Sequence, residues 1–131
     1  MDPARLRGVP FFSSVSEPDL VAVAALTNEL SVTAGSVLAN EGDLGDEFFV
    51  IESGTAEVSQ RGAAVATLGA GDFFGEGALL REERRTATVT ATSPMVLIVM
   101  PGSSFRSLDR STAEIRERVS QALAERRASV S

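Results

Sequence analysis

Between residues 29 and 101, closely spaced turn signals divide the chain into short apolar segments, and this pattern constrains the fold more than any other feature. The turn signals are Ala34-Gly35, Glu41-Gly42-Asp43, Ser53-Gly54, Arg61-Gly62 and Gly69-Ala70-Gly71-Asp72. The segments between them are Val37-Leu38, Phe48–Ile51, Ala56–Val58, Val65–Leu68, Thr86–Thr90 and Met95–Met100. Short segments of strand-forming residues, punctuated in this way, predict an antiparallel β-sandwich or β-roll.

Helical signals flank the strands. Ser16 is a good N-cap, and Pro18 suits the first turn of the helix that it would start. The apolar stripe of that helix extends to about residue 28. After the strands, Ser103–Phe105 predicts a short helix, and Ser111 or Thr112 would cap a longer one.

We therefore predict one α+β domain: an eight-stranded-type antiparallel β-roll, jelly-roll-like, with an N-terminal helix, a short helix inside the roll and a C-terminal helical lid. A length of 131 residues fits a single domain. Its predicted parts are a helical lead-in over residues 1–28, the roll over residues 29–101 and C-terminal helices over residues 102–128.

The composition excludes several kinds of site. The chain has no Cys and no His, so it lacks a thiolate, a disulfide and a zinc site of the usual ligand types. The same absence excludes Ser-His-Asp and Cys-His catalysis within the chain. All 12 basic residues are Arg, and 18 acidic residues give a net charge of −6, which does not favour nucleic-acid binding. We expect no catalytic residue, no metal, no cofactor and no nucleic-acid partner.

The sequence also gives no sign of membrane contact. The longest apolar run, Met95–Met100, lies between two prolines and is far shorter than the roughly 20 residues that span a bilayer. Residues 1–5 lack the apolar stretch of a signal peptide. Together with the absence of Cys, these features favour a cytoplasmic location.

One glycine-rich segment interrupts the strand pattern. Gly75 and Gly77 allow close backbone approach, and Ala78–Leu80 predicts a single helical turn. The free amides at the start of such a turn suit an anion, and Arg85 can add a bidentate contact to a phosphate. A carboxylate beside an anion needs another task, so we interpret Glu76 as the acceptor for a sugar hydroxyl. The segment predicts a ligand with one phosphate charge and a free ribose hydroxyl.

These residues resemble the phosphate-binding cassette of the cyclic nucleotide-binding domain family. The resemblance rests on Phe74–Glu76, Ala78–Leu80 and Arg85–Val89, with Arg85 nine positions after Glu76 as in the family. It extends over about residues 6–127, and the pattern is most similar to the domain of prokaryotic cyclic-nucleotide-gated potassium channels.

The resemblance implies a role for each cassette residue. Glu76 would bind the ribose 2′-hydroxyl, while Arg85 and the amides of the short helix would hold the cyclic phosphate. Gly77 departs from the family, which usually has a larger apolar residue there, and a looser turn would lower affinity. The implied nucleotide-binding residues are Phe74, Gly75, Glu76, Gly77, Ala78, Arg85, Thr86 and Ala87.

The resemblance also implies a base pocket and a lid. Val58, Ala66 and Leu68 would face the base, although plain core packing explains them equally well. Arg126 occupies the position of a base-capping Arg in the bacterial channels, with Val130 nearby. The alternative for these two residues is an exposed terminal segment.

Thr86 bears on the identity of the base. A hydroxyl directly after the cassette Arg can bond the guanine amino group, but related cAMP-responsive channels also have Thr there. We therefore favour cAMP and keep cGMP as the alternative. The implied mechanism is a switch in which the ligand orders the C-terminal helix and so signals to an effector.

Two other functions remain to be weighed. Taken singly, Glu76 is also a common helix-start acid and Arg85 a surface Arg, so the roll could be a degenerate one that mediates protein interaction or dimerisation. A metal-dependent jelly-roll enzyme is disfavoured by the absence of His and Cys. No DNA-binding helix-turn-helix is recognisable after the last helix, so the expected partners are a nucleotide and an unidentified effector, with the chain a monomer or weak dimer.

Overall fold

The structure, a computed structural model, describes residues 1–9, 12, 16–79 and 83–106. Its helices are α1 (Pro3–Arg7), α2 (Glu17–Ala24), a 3₁₀ helix (Glu76–Leu79) and α3 (Gly102–Arg106). Its strands are β1 (Asn28–Val32), β2 (Val37–Ala39), β3 (Leu44–Gly45), β4 (Glu47–Ser53), β5 (Ala56–Gln60), β6 (Ala63–Leu68), β7 (Phe73–Phe74), β8 (Glu83–Arg84), β9 (Thr88–Ala91) and β10 (Met95–Pro101).

The strands form two four-stranded sheets and one short pair. The first sheet has the order β1-β10-β4-β7 and the second has the order β2-β9-β5-β6. Strands β3 and β8 pair separately, with Leu44 opposite Arg84 and Gly45 opposite Glu83. All these pairings are antiparallel, so the predicted antiparallel roll is confirmed.

The two central strands of the first sheet, β4 and β10, are buried on both faces. Alternate side chains of β4 and β10 point to opposite faces, as strand geometry requires. One set packs under the N-terminal helices and includes Phe48, Val50, Ile98 and Met100. The other set packs between the two sheets and includes Phe49, Ile51, Leu97 and Val99. This double burial explains why both strands are unbroken apolar runs in the sequence.

The N-terminal helices differ in part from the prediction. Helix α1 was not predicted, although Asp2 followed by proline is a recognisable start: its carboxylate accepts the Ala4 amide at 2.9 Å. Arg5 binds Glu52 of β4 at 2.6 Å and Glu29 of β1 at 2.7 Å, which ties α1 to the first sheet. Helix α2 ends at Ala24 rather than near residue 28, because β1 begins at Asn28.

Strand boundaries also differ around the cassette. We predicted a strand over Thr86–Thr90, but Thr86 and Ala87 lie in a bend and β9 begins at Thr88. The short strands β3, β7 and β8 were not predicted, since two residues are too few to show an alternating pattern. The segment β1 was also missed because it is mostly exposed and its pattern is polar.

The chain leaves the roll through α3. The Gly102 amide donates to the Asp46 carbonyl at 2.6 Å, and the Ser103 amide donates to the Asp46 carboxylate at 3.2 Å. Asp46 therefore fixes the start of α3 to the loop between β3 and β4. The short helix predicted at Ser103–Phe105 is confirmed, while the longer helix predicted from Ser111 or Thr112 lies outside the described residues.

Within the part of the chain that the structure describes, no helix has both the length and the hydropathy needed to cross a membrane.

Candidate functional site

The glycine-rich segment forms a sharp turn between β7 and the 3₁₀ helix. Gly75 has a φ of 76°, a left-handed conformation that favours glycine. The turn is closed by a hydrogen bond from the Ala78 amide to the Gly75 carbonyl at 3.0 Å. Gly77 and Ala78 are both buried, so the predicted helical turn exists and its backbone is packed against the roll.

Arg85 is held in place by its backbone. Its amide donates to the Asp43 carbonyl at 2.8 Å, and its carbonyl accepts the Gly42 amide at 2.8 Å. These bonds continue the antiparallel pairing of β3 with β8 by one residue. The neighbouring Arg84 donates from Nη1 to the Gly42 carbonyl at 2.8 Å. Arg85 therefore starts from a fixed backbone position.

The Arg85 side chain is also ordered by direct contacts. Its Nη2 donates to the Glu47 carbonyl at 2.8 Å. Its guanidinium carbon lies 5.9 Å from the centre of the Phe49 ring, within the range of a cation–π contact. A carbonyl and an aromatic face thus orient the half-buried guanidinium.

The guanidinium lies against the cassette turn. A Cβ at Gly75 would be 2.6 Å from Nη1 of Arg85 and 2.6 Å from the Glu47 carbonyl oxygen. Gly75 therefore provides both the left-handed turn and the space that Arg85 occupies. The structure thus brings Arg85 to the start of the 3₁₀ helix, which is the arrangement that an anion site needs.

Phe74 contributes to the site through packing. Its ring stacks on Phe49 with centroids 4.7 Å apart and planes inclined by 14°. Phe74 is 5% exposed and belongs to the core between the sheets. Its position beneath the turn fixes the site to the roll, because the same Phe49 ring contacts Arg85.

The three residues predicted to line the base pocket share one face of the second sheet. Val58 is directly opposite Ala66, while Leu68 is opposite Ala56. On its other side Val58 is opposite Val89. Val58 and Leu68 pack at the margin of the inter-sheet core, whereas Ala66 is exposed. The face that carries Val58, Ala66 and Leu68 is therefore packed against the core at Val58 and Leu68, and it is exposed at Ala66 of β6.

The segment after Arg85 is joined to the same sheet. The side-chain amide of Gln60, at the end of β5, donates to the Thr86 carbonyl at 3.1 Å. Thr86 is exposed and Ala87 is half-buried. This bond anchors the cassette exit to the strand that carries Val58.

The side-chain positions of three predicted site residues lie outside what the structure describes. Glu76 lies in the 3₁₀ helix by its backbone, and its side chain is outside what the structure describes. Arg126 and Val130 lie outside the described residues altogether.

Three residues around Arg85 were not among the predicted site residues: Gly45, Glu47 and Phe49. Phe49 was assigned only to a strand, and Glu47 acts through a carbonyl, which any residue provides. Gly45 lies two positions after the turn signal Glu41–Asp43, so it was not distinguished from the loop. The contact between Gly45 and Arg85 could not be predicted from the sequence, because the two residues are 40 positions apart along the chain.

Comparison with known proteins identifies the family. Residues 29–111 match the family model of the cyclic nucleotide-binding domain, and the chain belongs to this family. The resemblance inferred from the cassette is thereby confirmed.

The relatives include kinase regulatory subunits and channels. The chain is 39% identical over 104 residues to a cAMP-dependent protein kinase regulatory subunit of Eremothecium gossypii, an alignment that covers 79% of this chain and 23% of that protein. It is 34% identical over 119 residues to a cyclic nucleotide-gated potassium channel of Rhizobium etli, covering 91% of this chain and 33% of that protein. The chain thus spans about a quarter to a third of the length of these curated relatives.

A solved structure agrees in fold. The regulatory domain of Toxoplasma gondii PKA, crystallised with cAMP, superposes with a TM-score of 0.81 at 26% identity, covering 94% of this chain and 48% of that one. The family is a regulatory one, and in these relatives the domain makes up only part of the protein.

Proposed function

We propose that this chain is a non-catalytic sensor domain that binds a 3′,5′-cyclic purine nucleotide. The observation that carries the proposal is the position of the Arg85 guanidinium against Gly75, at the start of the 3₁₀ helix. One fixed positive charge beside a helix start suits the single negative charge of a cyclic phosphate. Family membership supports the same ligand class.

The proposed contacts divide the ligand between backbone and side chains. Arg85 neutralises the phosphate, while Gly75, Gly77 and Ala78 provide backbone groups around it. Glu76 accepts a hydrogen bond from the ribose 2′-hydroxyl. Because Arg85 is already held by the Glu47 carbonyl and the Phe49 ring, little side-chain entropy is lost when the phosphate binds.

The base is proposed to lie on the open apolar face formed by Val58, Ala66 and Leu68. Their shared face, and the exposure of Ala66, leave apolar surface that a flat purine can cover. Thr86 is tied to this sheet by Gln60, which keeps it near the same face. We propose cAMP as the ligand, with cGMP as the alternative, since relatives of both classes match this chain.

The proposed output is movement of the C-terminal segment. Helix α3 contacts the 3₁₀ helix of the cassette, and its first amides bind Asp46, directly before the strand that carries Glu47. Arg126 and Val130 would close over the base when the segment orders. A ligand can shift this equilibrium only if it binds the ordered state more tightly, so the effector would respond to that difference.

Thermal unfolding tests the binding proposal. The 131-residue chain would be heated alone and with saturating cAMP, cGMP or 5′-AMP, and followed by far-UV circular dichroism because it has no Trp or Tyr. A ligand at about 100 times its Kd adds roughly 2.7 kcal/mol to the free energy of unfolding, which raises Tm by several degrees. Stabilisation by one cyclic nucleotide, and not by 5′-AMP, is expected and identifies the base.

Two variants sharpen the test. Arg85→Ala should weaken binding by roughly 10- to 150-fold, because a charge-assisted contact contributes about 1.5–3 kcal/mol. Arg84→Ala is the matched control: this adjacent Arg binds only the Gly42 carbonyl among its described partners and should leave affinity unchanged. If no nucleotide stabilises the parent chain and it is a persistent dimer, the degenerate interaction domain replaces this proposal.

A further inference from the structure

We propose that Gly45 is a positioning residue for Arg85: its missing side chain provides the groove along which the Arg85 side chain crosses β3. This inference rests on the proposed function only for its effect on ligand binding. The packing itself is a property of the free domain and can be tested without a nucleotide.

The register of β3 and β8 explains why the two residues meet. Gly45 is opposite Glu83, so the position opposite Arg85 is Asp43, and their backbones are hydrogen-bonded. Side chains at alternate positions of a strand share a face, and a long side chain reaches its diagonal neighbour two positions further on. From its place opposite Asp43, the Arg85 side chain passes over Gly45 to reach the Glu47 carbonyl.

A side chain at position 45 would occupy the same space. The three atoms closest to a Cβ built on Gly45 are Nε, Cζ and Cδ of Arg85, and all three would overlap it. Gly45 is buried and does not have a positive φ. The backbone there suits any residue, so the requirement for glycine comes from the space that Arg85 takes.

A methyl group at position 45 must therefore displace the guanidinium. Arg85 would lose its hydrogen bond to the Glu47 carbonyl and its place over the Phe49 ring. It would also leave the cassette turn, because Nη1 lies against Gly75 only when the chain follows this path. Gly45→Ala should thus have the effect of removing Arg85, although position 45 would touch no ligand.

A double-mutant cycle on the ligand-free domain tests the packing. Gly45→Ala should lower Tm by several degrees in the parent chain and by much less in an Arg85→Ala background, where the three overlapping atoms are gone. Gly69→Ala is the control, since a Cβ there meets nothing within 4 Å and the backbone has no positive φ. Equal Tm losses from Gly45→Ala in both backgrounds would overturn the inference, and so would no loss in either.

Binding gives the readout that a merely structural role would not produce. With the cyclic nucleotide that stabilises the parent chain, titration calorimetry should show Gly45→Ala weakening affinity roughly 10- to 150-fold, as Arg85→Ala does. The double variant Gly45→Ala/Arg85→Ala should bind about as weakly as Arg85→Ala alone. If Gly45→Ala caused only a general packing defect, it would instead weaken binding by the same factor with and without Arg85. Parent-like affinity for Gly45→Ala overturns the inference. If the parent binds no cyclic nucleotide, the proposed function fails and the Tm cycle alone decides the role of Gly45.

Discussion

At the scale of single residues, Arg85 is positioned in part by a backbone carbonyl and by two glycines that leave space for its side chain. The Arg85 guanidinium binds the Glu47 carbonyl at 2.8 Å and lies against Gly75. The path between these points passes over Gly45. The absence of a Cβ at Gly45 and Gly75, the Glu47 carbonyl and the Phe49 ring therefore all contribute to where the charge is placed.

The proposed partner of the ribose can be tested at the same scale. Glu76→Gln replaces a charged acceptor with a neutral one of equal size, so it should weaken cyclic nucleotide binding by about 10-fold or more while leaving Tm of the free domain nearly unchanged. Titration calorimetry measures the affinity. Glu57→Gln, on an exposed position of β5, is the control and should bind as the parent does. Equal affinity for Glu76→Gln and the parent would remove Glu76 from the site.

At the scale of elements, the first sheet is the only one of the two four-stranded sheets with a described apolar core on each face. Ile98 packs under the N-terminal helices and Ile51 packs between the sheets. The outer face of the second sheet has no such cover in the described residues, and Val65 of β6 is 55% exposed. The first sheet therefore connects the helices to the site, since β4 also carries Phe49.

Matched substitutions on the two faces should show this double burial. Ile98→Val and Ile51→Val each remove one buried methylene, and each should lower the free energy of unfolding by about 0.5–1.5 kcal/mol. Urea denaturation followed by circular dichroism measures the change. Val65→Ala serves as the exposed control and should change it by no more than about 0.5 kcal/mol. If either Ile variant matched the control, the corresponding face would not be packed as described.

At the scale of the whole molecule, the charge balance is unusual because few groups titrate near neutral pH. The chain has 12 Arg, 18 Asp and Glu, and no Lys, His, Cys or Tyr. Hydrogen bonds from Arg5 to Glu52 and then to Glu29 raise the pKa of that guanidinium above its usual value. A raised pKa on a basic group stabilises the fold below its unfolded pKa, and this contribution is lost only when the pH rises through the folded value.

This composition predicts a free energy of unfolding that is flat from about pH 6 to pH 10. In model peptides carboxylic acids titrate near pH 4 and Arg only at strongly basic pH, so the α-amino group is the one group type of this chain with a reference pKa between them. Urea denaturation at pH 6, 8 and 10 checks the prediction. A change larger than about 1 kcal/mol across this range would show that at least one ionisable group, the N-terminal amine included, titrates in the fold far from its reference pKa.

Much of the fold and part of the site could be predicted from the chain alone. Phe48–Ile51 and Met95–Met100 were predicted as strands, but their burial on both faces was not, because periodicity does not show what covers a strand. The strand predicted from Thr86 begins two residues later, since Gln60 binds the Thr86 carbonyl in a bend. Helix α1 was not predicted, although Asp2 is its N-cap and accepts a hydrogen bond from the Ala4 amide.

The sequence by itself determined the antiparallel roll, through its turn signals and the short apolar segments between them. It also indicated the cassette, because Gly75 and Arg85 are close along the chain. Only the tertiary structure decided which groups hold Arg85. Gly45 is 40 positions away, and it becomes a diagonal neighbour only through the register of β3 with β8. A cross-strand contact depends on register, and two paired residues per strand are too few for the sequence pattern to specify it.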